Sequence, residues 1–66
     1  MINIFVNGKK ENIDSISIKQ YLESKDIDLD SIIILLNEEI IKKDIIDSTI
    51  LKDNDSLEIV KFVGGG

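Results

Sequence analysis

The chain opens Met1-Ile2-Asn3-Ile4-Phe5-Val6-Asn7-Gly8-Lys9-Lys10-Glu11-Asn12-Ile13. Ile2, Ile4 and Val6 fall on one side of this stretch, and Met1, Asn3 and Phe5 on the other. A period of two is a strand. Asn7-Gly8 is the strongest short hairpin signal, because both central residues of a type I′ turn need positive φ. Lys9 to Ile13 is then the return strand. Its charges at Lys9, Lys10 and Glu11 suit an exposed edge that must not pair with other chains.

A hairpin needs something to cover its apolar face. Ser17 is a good N-cap with Gln20 three residues on, which makes a capping box, and Ile16 and Tyr21 stand at the two positions of a hydrophobic staple. Ile18, Tyr21 and Leu22 share one face at i, i+3, i+4 spacing. Lys25 lies near the helix end, where a cation suits the dipole. The spacing predicts a helix ending near Asp26, about ten residues long and too short to stand without a sheet.

Further on, Ser31 to Asn37 holds five consecutive large apolar residues, Ile32 to Leu36, and reads as a strand apolar on both faces. Glu39 to Lys42 reads as a short partner strand. Asp44 to Ile50 is ambiguous and allows one turn of helix. Asp53-Asn54-Asp55 is a turn, with Asn54 able to take the left-handed conformation. Leu57 to Val63 is the last strand, and Gly64-Gly65-Gly66 ends the chain. The order is hairpin, helix, strand pair, final strand. The helix supplies the long crossover that lets the first and last strands lie parallel at the sheet centre. The expectation is an α+β domain over residues 1–63, with a mixed sheet of roughly four or five strands on one main helix, and a flexible reactive tail at 64–66.

Composition narrows the function. Sixty-six residues make one domain, burying about 60% of the surface of the unfolded chain. Ile, Leu, Val and Phe supply 26 residues, 15 of them Ile, well above the roughly 20% below which chains stay disordered. There is no Cys and no His, which removes disulfides, Cys/His zinc sites and His general-base catalysis. Eight Lys, no Arg and 13 carboxylates give a net charge of −5, which a phosphate backbone repels, so no nucleic-acid partner is expected. No apolar run approaches the roughly 18 residues of a membrane span. Met1-Ile2-Asn3-Ile4 enters the alternating pattern at once, with no signal-peptide pattern. The expectation is a cytoplasmic domain with no membrane partner.

No catalytic set emerges. Seven Ser and Thr residues have no His to activate them. Asp26, Asp28 and Asp30 are spaced like the start of a calcium loop, but Ser31 stands where Gly is required and Asn37 where Glu is required. They read as a solvated loop, and no metal site is expected. The tail differs. Glycine lacks Cβ, so three glycines after a core strand make a slender end. Such an end can thread a tunnel and present its carboxylate to a reagent held in another protein. Terminal glycines alone are a weak motif, and a frayed end is the bland alternative. They gain weight when the preceding strand and the element order agree. If Ile4, Val6, Ile32, Ile34, Leu36, Leu57 and Ile59 face the helix, then Phe5, Ile33, Leu35, Val60 and Phe62 face outward as an apolar patch beside the tail. Monomers seldom expose such a patch without a partner.

These residues carry a family resemblance. The opening Ile4-Phe5-Val6-Asn7-Gly8, the helix start Ser17-Ile18 with Tyr21-Leu22, Leu36-Asn37 leading into Glu39-Ile40-Ile41, and Leu51 to Asp55 all contribute. The close, Leu57-Glu58-Ile59-Val60-Lys61-Phe62-Val63-Gly64-Gly65-Gly66, is the most specific part. Over nearly its whole length the chain resembles the ThiS family of sulfur carrier proteins, which have the β-grasp, ubiquitin-like fold. Glu38 and Asn54 stand where that family usually has turn glycines. Lys42 replaces a common proline, Ile46 a common aromatic and Lys25 a common leucine.

The resemblance implies a carrier and not an enzyme. A ThiF-like adenylating partner, using ATP and Mg²⁺ held on its own surface, would convert the Gly66 carboxylate into an acyl-adenylate. Sulfur from a donor protein would replace AMP and leave a thiocarboxylate. A ThiG-like thiazole synthase would take that sulfur for the thiazole of thiamine. Gly64 and Gly65 would give reach, and Gly66 the reacting carbon. No cofactor would be bound by this chain. The competing readings are a carrier for another pathway, like the small subunit of molybdopterin synthase, and a non-covalent β-grasp interaction module.

Overall fold

The computed structural model describes residues 1–61. β1 (Ile2–Val6) and β2 (Lys9–Ile13) pair antiparallel from Ile2↔Ile13 to Val6↔Lys9. Asn7 and Gly8 have φ of 50° and 84°, the two left-handed residues that a type I′ turn demands.

α1 spans Ile18–Ser24. The Ser17 hydroxyl accepts from the Gln20 N–H at 3.1 Å, and Gln20 Oε1 accepts from the Ser17 N–H at 3.0 Å. This is the expected capping box. The two remaining first-turn donors are satisfied from a distance: the Ile18 N–H donates to the Thr49 carbonyl at 2.9 Å and the Lys19 N–H to the Ile46 carbonyl at 3.1 Å. The helix stops two residues short of the expected Asp26. Asp26 itself is left-handed, with φ of 56°. Its N–H donates to the Glu23 carbonyl and that of Ile27 to the Leu22 carbonyl, both at 3.2 Å. That pair of bonds is the Schellman motif, which usually places Gly or Asn at this position. Asp gives little warning of it.

A short 3₁₀ turn, Leu29–Ser31, leads into β3 (Ile32–Leu36). Asp28 Oδ1 caps the turn by accepting from the Asp30 N–H at 3.1 Å. Asp26, Asp28 and Asp30 are exposed, as a solvated loop requires. β4 (Glu39–Ile41) returns antiparallel to β3 through Asn37 and Glu38, whose φ values are 51° and 73°. This is a second turn with two consecutive positive φ values. Residues 42–50 form successive turns and no helix. The Ile45 carbonyl accepts from the Ser48 N–H and from the hydroxyls of Ser48 and Thr49, which aims Ile46 inward. Asn54 is left-handed, with φ of 71°. β5 begins at Ser56, one residue earlier than expected, and reaches Lys61. Phe62 and Val63, expected to complete it, lie outside the described residues.

The sheet order is β2-β1-β5-β3-β4. β5 is central, parallel to β1 and antiparallel to β3. With α1 across one face, this is the expected β-grasp architecture. The core joins Ile4, Val6, Ile32, Ile34 and Leu57 from the strands, Ile18, Tyr21 and Leu22 from the helix, and Ile46 and Leu51 from the return loop. Each fully buried Ile or Leu contributes about 2 kcal/mol.

Candidate functional site

The central strand is the one that leads into the C-terminal residues. Its start is held by both neighbours. On the β1 side the Phe5 N–H donates to the Asp55 carbonyl at 2.9 Å and the Asn7 N–H to the Leu57 carbonyl at 3.0 Å. On the β3 side the register runs from Leu36↔Leu57 to Ile32↔Lys61. Two turn asparagines extend these ladders with their side chains. Asn37 Oδ1 accepts from the Ser56 N–H at 2.9 Å, and Asn7 Oδ1 accepts from the Ile59 N–H at 2.8 Å. Both asparagines are the first central residue of a hairpin turn. The sequence pattern explains Asn7 as a turn former and says nothing of the second duty of either.

The face of the sheet away from α1 carries the outward residues. Ile33 and Val60 are direct cross-strand partners and are 39% and 47% exposed. Leu35, half-buried, stands opposite Glu58. Phe5, 38% exposed, is level with Ser56, four residues back along β5 from Val60. Glu58 therefore separates Phe5 from the Ile33–Val60 pair. The structure brings Ile33, Leu35 and Val60 together and sets Phe5 apart. Ile40 joins them unexpectedly: it is opposite Leu35 on β4 and 71% exposed. A three-residue strand is too short to show the alternation that would have revealed it. Phe62, Gly64, Gly65 and Gly66, the other expected site residues, lie outside the described residues.

The helix side of the same strand end carries a cavity of about 350 Å³, lined among others by Glu11, Tyr21, Lys25, Ile59 and Lys61. The Tyr21 hydroxyl donates to Glu11 Oε1 at 2.8 Å. Lys25 Nζ lies 3.8 Å from the same oxygen and 5.6 Å from the Tyr21 ring centre. Burial, reinforced by the bond to Glu11 and its charge, pushes the Tyr21 pKa well above its ordinary value of 10.0. The group is a strut between helix and edge strand. A phenol held neutral is not a base, and an exposed ion pair contributes little. Among the described residues no group of three or more metal-ligating side chains is gathered, and no helix is long and apolar enough to cross a membrane.

The sequence model described as the ThiS family matches residues 4–66. A protein of Pyropia yezoensis described as uncharacterized protein ycf40 is 33% identical over 66 residues, covering 98% of this chain and 93% of that protein. The crystal structure of the thiamine biosynthesis protein ThiS from Geobacter metallireducens aligns with a TM-score of 0.85 at 30% identity, covering 98% of this chain and 100% of that one. The solution structure of a thiamine biosynthesis protein from the same organism aligns with a TM-score of 0.78 at 30% identity, covering 98% and 88%.

Proposed function

The chain belongs to the ThiS family of sulfur carriers, and from that premise we propose that Gly66 is its reacting residue. A Gly66 carboxylate oxygen attacks the α-phosphorus of ATP on a ThiF-like partner, and pyrophosphate leaves. Sulfide-level sulfur, as hydrosulfide, then attacks the acyl carbon, the C–O bond to AMP breaks, AMP leaves, and a thiocarboxylate remains. A carboxylate is a poor acyl donor at neutral pH; adenylation supplies the leaving group. ATP and Mg²⁺ sites belong to the partner in this reading, and the reaction runs in the cytoplasm, where ATP is available. The observation that carries it is a family match that runs to Gly66 itself, the residue to which the central strand leads.

Delivery to a ThiG-like thiazole synthase is supported by the similarity to the Geobacter metallireducens thiamine biosynthesis proteins. In the same reading, Ile33, Leu35, Val60 and Ile40 dock on the partners, Phe5 contributes from beyond Glu58, and the expected contribution of Phe62 lies outside the described residues. Ile33 and Val60 sit at the end of β5 from which the chain continues to Gly66, so docking there would bring the terminus to the partner's pocket.

Intact-mass spectrometry tests the chemistry. After incubation with a ThiF-like enzyme, ATP and a sulfur donor, the chain should gain the mass difference between oxygen and sulfur. An unchanged mass beside a demonstrably active partner would leave a non-covalent interaction module.

A further inference from the structure

The pairing of β1 with β5 ends at Val6↔Leu57, yet the next bond of a parallel ladder is still made. In that ladder the Asn7 N–H donates to the Leu57 carbonyl, as observed at 3.0 Å, and the Ile59 N–H should donate to the Asn7 main-chain carbonyl. Asn7, however, has φ of 50° and has entered the hairpin turn. Its side-chain carbonyl takes the place instead, at 2.8 Å from the Ile59 nitrogen. Among the described residues, no bond from β1 or its turn reaches further along β5. The turn itself would accept Asn, Asp or Gly at this position. Only the bond to Ile59 asks for a side-chain acceptor.

We propose that Asn7 is a positioning residue for the reactive terminus: its side chain holds β5 at Ile59 on the β1 side and so fixes the strand that leads to Gly66. This rests on the carrier reading above. A terminus that must enter a partner's pocket is delivered with less loss of freedom when its base is fixed. Without the clamp, β5 is held on one side alone near its end.

The test compares Asn7→Gly, which keeps the turn and loses the acceptor, with Asn7→Asp, which keeps both. In Asn7→Gly the Ile59 amide should exchange with solvent about tenfold faster. Pyrophosphate release by a ThiF-like enzyme with ATP and Mg²⁺ should show KM raised several-fold, with kcat nearly unchanged. Asn7→Asp should restore both. Unchanged exchange at Ile59 in Asn7→Gly would overturn the clamp. Faster exchange with an unchanged KM would overturn the positioning role. A wild-type chain inert to an active partner would overturn the carrier reading, and the positioning role with it.

Discussion

The Tyr21 hydroxyl donates to Glu11 Oε1 at 2.8 Å, tying the helix to the edge strand β2. Tyr21 is 2% exposed, and burial favours its neutral form over the phenolate. Its raised pKa, caused first by burial and then by Glu11, means the folded chain keeps a proton that the unfolded chain loses. Stability from this group is therefore fully present below pH 10.0, the ordinary tyrosine value, and is lost as pH rises beyond it. Tyr21→Phe should cost about 1 kcal/mol at neutral pH. Between neutral pH and about pH 11, urea titrations should show the wild type losing more stability than the Phe variant. Parallel curves would exclude this role.

Glu38 occupies a left-handed position, with φ of 73°, at the tip of the β3–β4 hairpin. Glu at that φ is strained and glycine is not. Glu38→Gly should raise stability by about 0.5–1 kcal/mol, seen as a higher urea midpoint at unchanged m. Asp26→Asn should act in the same direction, since it suits the left-handed cap and removes a negative charge from a helix C-terminus.

Ile46 and Ile45 are adjacent in a loop, 1% and 44% exposed. Ile46→Ala should cost about 3 kcal/mol, as a core truncation does. Ile45→Ala should stay within about 0.5 kcal/mol. Equal costs would mean the loop does not aim Ile46 inward.

Val60→Asp and Ile40→Asp each place a charge on the outer face without touching the core. Binding to the adenylating partner should weaken about tenfold or more while the melting temperature holds. Unfolding of either variant would contradict the face assignment.

Deleting Gly66 removes a residue with no side chain to bury. Activation should vanish, read as loss of pyrophosphate release, with the melting temperature unmoved.

What could be read from the chain and what could not divide along the range of the forces involved. Asn7-Gly8 and Ser17 with Gln20 act within four residues, so their turn and cap are legible from identity alone, and the structure shows both. The apolar run Ile32 to Leu36 and the alternation of β1 identify strands. The order of elements around one helix then limits the topology, because a parallel pair of first and last strands needs that crossover.

Residues 42–50 resisted reading because their shape answers to partners far along the chain. Their carbonyls cap α1 at Ile18 and Lys19, and Ile46 fills the core. The true helix end was hidden by an Asp in a role that Gly normally signals. Local chemistry in this sequence specifies the turns, the cap, the strands and the glycine end. Tertiary contact decided that Glu58 parts Phe5 from Val60, that Ile40 joins the outer face, and that Asn7 and Asn37 bond to β5. Those facts depend on register between segments as far as 52 residues apart, where no local preference reaches and only the packing of one shared core sets the alignment.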